Sequence, residues 1–384
     1  MPHTTMEFVI KLSKLCNLRC SYCHEFNDLA KKERIALQDL RRMFLCIREY
    51  AVAHSLKHFE LIWHGGEPFL VKPSYYAAIG ELQREIFGSD LTYTNSVQTN
   101  LTVLSDELLE LLGSRSFFEG IGVSFDVYGD QRVDINGRQR TDTVISNMQR
   151  LIDRNVPFGA IAVLSRHTLE RIVDIYRFYD ALQVECRLLP FYRSASPSQI
   201  EAHSLSGSEI VTALKDVFDT WLGSERATPV DPLDEYIDYA LNALRSEARA
   251  PYEMRGSERV LIVNTNGETW GVSDTYDPVY RYGNIFREPL DTVLASAGRE
   301  RAIEEAGARM VAHCTGCPYL GYCPGFFVAE ATPQQRCMLD QSGCPVRVLI
   351  AHIVDRLQQT GLAETLMARP SRQIVTNEAL AVEL

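Results

Sequence analysis

The sequence predicts an α/β protein built on a parallel sheet. Six apolar, strand-like runs alternate with amphipathic helical stretches through the first two hundred residues. The residues best suited to chemistry fall just after those runs, where α/β barrels gather their active sites. The ten cysteines are clustered, three within 16–23 and five within 314–344, which adds a small cysteine-rich region on the C-terminal side.

In chain order, the strand candidates are 8–13, 59–64, 94–100, 120–126, 158–165 and 185–192. Between them lie helical segments at 37–53, 75–86, 106–112, 143–154 and 169–182, so each strand is followed by a segment able to cover the sheet. Residues 193–256 read as polar loop plus helices at 207–222 and 234–248. A different texture begins near Val260, with the strand-turn-strand run LIVNTNGETWGV, then YGNI, then the second cysteine group. The expected organisation is a barrel over 1–200, a helical bridge over 201–255, a cysteine-rich domain over 256–360 and a loose tail over 361–384.

Composition excludes several classes. The net charge of −11, from 39 basic and 50 acidic residues, comes with no basic stripe, which argues against nucleic acid as partner. No apolar run reaches the ~18–20 residues of a membrane span. The start, MPHTTMEFVIKLSKLC, lacks the basic and apolar regions of a signal peptide, so a cytoplasmic location is expected. In that compartment clustered cysteines read as metal ligands rather than disulfides. Cys46, in a helical run, and Cys186, in a strand, read as small buried hydrophobes.

Cys16, Cys20 and Cys23 form C-x3-C-x2-C on a loop leaving the first strand. Three thiolates without a close fourth suit an iron–sulfur cube with one open iron, and an open position marks a catalytic metal centre. A zinc knuckle is the alternative. The second strand ends in Trp63-His64-Gly65-Gly66-Glu67-Pro68, where paired glycines allow close backbone approach. Together, the cysteine spacing, the aromatic Tyr22 before the last cysteine and the GGEP turn resemble the radical S-adenosylmethionine (SAM) superfamily.

That resemblance implies a partial (β/α)6 barrel holding a [4Fe–4S] cluster and SAM, with reductive SAM cleavage to a 5′-deoxyadenosyl radical. It also implies cofactor-binding roles for Tyr22, Gly65, Gly66, Glu67, Asn100, Ser124 and Leu189. For the SAM carboxylate it points to Arg138, with Arg132 or Arg140 as alternatives. His64 reads as a pocket or strand-end residue.

The second group, Cys314, Cys317 and Cys323 in C-x2-C-x5-C with Cys337 and Cys344 beyond, resembles the SPASM domain of peptide-modifying radical SAM enzymes. Val272 and Phe327 stand where that family places cysteines of its first auxiliary cluster, and none precedes Gly267. The resemblance therefore implies one auxiliary [4Fe–4S] cluster, on Cys314, Cys317, Cys323 and either Cys344 or Cys337. A structural zinc is the alternative. His313 is either a residue orienting a ligand or an exposed histidine. Asp274 is the candidate catalytic acid/base, with Ser273 as the strict alignment.

The implied substrate is a ribosomally made peptide, with a flavodoxin- or ferredoxin-type electron donor. The chain reaches its first strand by Phe8, so a leader peptide is expected to bind elsewhere on the enzyme or to a separate protein. A small-molecule natural-product enzyme and an anaerobic sulfatase-type maturase are the rival readings.

Overall fold

The computed structural model describes residues 5–191, 196–247, 255, 259–271, 276–323 and 344–367. It begins with β1 (Thr5–Ser13), α1 (Leu37–Ala53), β2 (His58–Gly65), α2 (Pro73–Phe87), β3 (Thr92–Thr99) and α3 (Asp106–Ser114). There follow β4 (Gly120–Ser124), α4 (Thr141–Asp153), β5 (Gly159–Leu164), α5 (Ile172–Leu182) and β6 (Cys186–Pro190). All six strands stand where the apolar runs placed them.

Two helices, α6 (Pro197–His203) and α7 (Gly207–Leu222), lead to the short β7 (Val230–Asp231) and to α8 (Leu233–Arg245). Beyond them come β8 (Val260–Val263), β9 (Glu268–Trp270), β10 (Gly283–Asn284), α9 (Leu290–Leu294), α10 (Ala297–Cys314), α11 (Pro345–Thr360) and α12 (Leu362–Met367).

Among the described residues the strands form one sheet, ordered β10-β9-β8-β1-β2-β3-β4-β5-β6-β7. Strands β1 to β7 run parallel in sequence order, and β8 pairs parallel with β1, Glu7 opposite Val260 and Ile10 opposite Val263. The strand-turn-strand segment read as a change of texture thus extends the barrel sheet at its β1 edge. Helix α11 packs on α7 and α8, tying the C-terminal part to the middle segment.

Successive strand residues face opposite sides, and this sorts the sheet into two unlike faces. Phe8, Ile10 and Leu12 join Phe59, Leu61, Trp63 and Val97 in the main core beneath the helices. On the other face Val9, Ile62 and Ile262 form a small apolar plug. Nearer the C-terminal strand ends that face turns polar. Lys11 and His64 follow the plug, and Gln98 donates to Ser124 at 2.7 Å, while on the N-terminal side of Ile62 the buried Glu60 accepts from Ser96 at 2.7 Å. A face of this kind suits a polar ligand.

Helix α10 was not foreseen. Its sequence, AGRERAIEEAGARMVAHC, buries Gly298, Ala302 and Ala306 with the stems of Arg299 and Arg309, so no large apolar stripe announces it.

Candidate functional site

The cysteine loop follows β1 and is gripped by the turn after β2. Gly66 N–H donates to Ser13 O at 2.8 Å and Glu67 N–H to Leu15 O at 2.9 Å. A Cβ on Gly65, whose φ is +134°, would stand 2.0 Å from Ser13 O, and one on Gly66 would stand 2.3 and 2.4 Å from the carbonyl oxygens of Lys14 and Leu15. The glycines therefore admit the protein's own chain, the stem of the cysteine loop, at close range.

Glu67 is buried and committed to its neighbours. Its carboxylate accepts from Phe69 N–H (2.9 Å), Thr99 Oγ1 (2.7 Å) and Asn100 N–H (2.7 Å), while burial raises its pKa. Asn100 in turn donates to Cys16 Sγ at 3.7 Å and to Asn17 Oδ1 at 3.1 Å. The turn after β2 and the end of β3 thus both fix the start of the cysteine loop.

Cys16 and Cys20 are buried with Leu18 and Leu29, with Tyr22 and Cys23 packed against them. Burial, with a contribution from the neighbouring Cys20, pushes the Cys16 and Cys23 thiols up to about 12. Burial also raises Cys20, against the opposing pull of Arg132. Three neighbouring thiols that resist ionisation on their own fit a cationic iron–sulfur centre, which deprotonates its ligands outright. Among the described residues no three donor side chains meet at one ion-sized point. A cube seats each thiolate on a different iron, so its ligands need not converge.

A network anchors the loop to the turn after β4. Tyr22 O–H donates to Asp126 Oδ2 at 2.8 Å and accepts from Arg132 Nη1 at 2.6 Å. Asp126 Oδ1 also accepts from Val163 N–H at 2.9 Å, and burial raises its carboxyl against the pull of Arg132. Of the three arginines considered, Arg132 is the one that the structure brings to the cysteine loop. Arg138 is exposed on a small hairpin, its N–H donating to Asp134 at 3.0 Å, whereas Arg132 reaches the cysteine loop. Ser124 ends β4, and Leu189 on β6 lies opposite Val163.

Sequence reasoning missed a polar group on the other side of Cys23. Lys11 is fully buried, its Nζ 3.3 Å from His64 Nδ1, and burial lowers its pKa to about 8. Burial likewise lowers His24 to about 4. Lys14 pairs with Glu25 and Asp28, both at 2.9 Å, and Tyr276 donates to Glu25. The available signal was Lys11 itself, a charge inside the apolar run FVIKLS on the face of Val9.

At the other end of the chain, Cys314 ends α10 and Cys344 caps α11. Cys317 N–H donates to Cys314 O at 2.9 Å, and Cys323 N–H to Tyr319 O at 2.8 Å. Cys314, Cys317, Cys323 and Cys344 line one recess, with His313 and Arg347 also in its lining. Cys337, Asp274 and its alternative Ser273, with Val272 and Phe327, lie outside the described residues.

Residues 10–179 match the radical SAM superfamily. Over those residues the chain carries a radical SAM domain. The family's cofactors are a [4Fe–4S] cluster and SAM.

A serine-type anaerobic sulfatase-maturating enzyme of Bacteroides thetaiotaomicron is 22% identical over 336 residues, 81% of this chain and 79% of that protein. A cysteine-type counterpart from Clostridium perfringens is 21% identical over 323 residues, 81% and 85% of the two chains. Native anSMEcpe, solved with bound AdoMet and a Cp18Cys peptide, shares the fold at a TM-score of 0.72 and 17% identity, over 94% of this chain and 99% of that one. Streptococcus suis SuiB bound to precursor peptide SuiA aligns at 0.57 and 15% identity, over 84% and 72%. Among the described residues no helix is long and apolar enough to cross a membrane.

Proposed function

We propose that this radical SAM enzyme holds its cluster on Cys16, Cys20 and Cys23 and acts on a ribosomally made precursor peptide, introducing a cross-link or another oxidative modification. The observation that carries the cluster assignment is the crowding of two buried thiols and the partly buried Cys23 on a loop pinned by the GGEP turn, at the polar end of the sheet. Bound together, the cluster and SAM supply one-electron cleavage of the sulfonium to a 5′-deoxyadenosyl radical that takes a hydrogen atom from substrate.

The chain's own part is to bind and orient. Gly65, Gly66 and Glu67 fix the loop stem, Asn100 steadies Cys16, and Tyr22 carries the loop to Asp126. Arg132 puts a guanidinium beside Cys20, where it favours a carboxylate or an anionic cluster. Ser124 and Leu189 line the same end of the sheet. Cys314, Cys317, Cys323 and Cys344 would hold one auxiliary [4Fe–4S] cluster, which can accept the electron left by a net oxidation.

The peptide assignment is supported by likeness to proteins solved with peptides bound. A flavodoxin or ferredoxin would supply electrons in the cytoplasm. Sulfatase-type maturation is the second reading, favoured by relatives matched over 79% and 85% of their length.

Anaerobically reconstituted, dithionite-reduced protein should release 5′-deoxyadenosine from SAM without substrate, and Cys20→Ala should abolish that release. Undiminished release from the variant would refute the cluster assignment. A precursor peptide that gains a new bond decides for the first reading, and a sulfatase-derived peptide oxidised at Cys or Ser decides for the second.

A further inference from the structure

Helix α6 has seven residues, too few to persist alone in water. It lies against the cysteine loop, and one side chain makes both its start and its attachment. Gln199 Oε1 accepts from Ser196 N–H and Ser196 Oγ–H, both at 3.3 Å, closing a capping box. Gln199 Nε2 donates to Ser21 O at 2.8 Å and Cys23 O at 3.1 Å, the two carbonyls that bracket Tyr22. Four residues on, buried His203 sets its ring edge-on to Tyr22, 6.1 Å between centroids, with His167 and Phe191 at 4.8 and 5.4 Å.

We propose that Gln199 is a positioning residue of the cluster-binding loop, its amide clasping the carbonyls of Ser21 and Cys23 so that the Cys20–Cys23 turn keeps its shape. The role rests on the reading that Cys16, Cys20 and Cys23 hold a cluster. Without the clasp both carbonyls turn to water and the turn loosens around Cys23. Linkage makes the effect reciprocal, so the assembled loop also holds α6 in place.

Two substitutions separate clasp from cap. Gln199→Glu keeps a capping-box acceptor but has no N–H to donate, while Gln199→Ala loses both functions. Reconstituted holoenzyme challenged anaerobically with an iron chelator should lose the iron held by the loop about tenfold faster in either variant, as expected for two lost hydrogen bonds. Iron held by the C-terminal cysteines should leave at the wild-type rate. The EPR spectrum of the reduced loop cluster should change in Gln199→Glu, which a purely helix-capping role would not produce. Hydrogen exchange over 197–203 should be faster in the triple variant Cys16→Ala, Cys20→Ala, Cys23→Ala than in wild-type holoenzyme.

Wild-type iron release and EPR from Gln199→Glu would overturn the clasp, as would fast release from Gln199→Ala alone. Equal iron content in wild type and the triple cysteine variant would instead overturn the cluster reading, and the clasp with it.

Discussion

Replacing Lys11 with methionine should stabilise the cluster-free protein at neutral pH. The ammonium is fully buried in β1, hydrogen-bonded to His64 Nδ1 at 3.3 Å, and burial lowers its pKa from 10.5 to about 8 even though Glu25 pulls the other way. An unfolded chain holds this proton up to about pH 10.5, whereas the folded chain releases it from about pH 8 upward. Between those values the unfolded state binds more protons, so stability rises with pH there. Below pH 8 the penalty is fully present, and the displaced pKa sets it at about 3 kcal/mol. Methionine is close in volume and carries no charge, and losing the contact to His64 returns about 1 kcal/mol. Urea unfolding followed by tryptophan fluorescence should therefore show Lys11→Met more stable by about 2 kcal/mol at pH 7. The advantage should shrink steadily between pH 8 and 10.5. A variant less stable than wild type at pH 7, or an advantage indifferent to pH, would refute the reasoning.

Gly66→Ala should lower iron content at the loop as well as SAM affinity, because the added carbon would press on the carbonyls of Lys14 and Leu15; full iron with weakened SAM binding would contradict this. Arg132→Met should raise the SAM dissociation constant at least tenfold, the scale of a lost charge-assisted hydrogen bond. Arg138→Met should leave it unchanged, since that side chain is exposed, and equal effects in a binding titration would restore the sequence-based choice. Reconstituted wild type should carry about eight irons and the triple variant Cys16→Ala, Cys20→Ala, Cys23→Ala about four. About twelve irons in wild type would mean that ligands other than cysteine complete a third cluster, and about four would favour zinc in the C-terminal group.

Much of the scaffold was legible because its signals are local. The six strands announced themselves as apolar runs, and the cysteine loop, the GGEP turn and Asn100 fell at strand ends as expected. Helix α10 escaped because it buries alanine, glycine and arginine stems, which resemble an exposed helix in sequence. Spacing left three arginines open because the turn after β4 loops out into a hairpin, with Val133 bridged to Gln139. That hairpin carries Arg138 outward and leaves Arg132, nearer the strand, facing Tyr22. Spacing counted along the chain cannot register such an excursion.

The contacts that shape the loop were the least legible, and the reason is physical. Residues 14–24 include no helix and no strand, so little of the loop's geometry comes from its own hydrogen bonding. Its shape is imposed from four distant places: the turn after β2 grips Ser13 to Leu15, Asn100 at the end of β3 holds Cys16 and Asn17, the turn after β4 holds Tyr22, and Gln199 on α6 holds Ser21 and Cys23. These partners lie from about fifty to nearly 180 residues away in sequence, and three of the side chains among them, Asp126, Arg132 and Gln199, are ordinary polar residues whose role no local pattern marks. Such a loop is only as rigid as the sheet that carries its anchors, which explains why glycines stand where β2 meets the stem. Any side chain there would push the first cysteine's support away while leaving the other anchors in place, so disturbance at Gly65 or Gly66 should strain the loop between its holders rather than shift it as a unit.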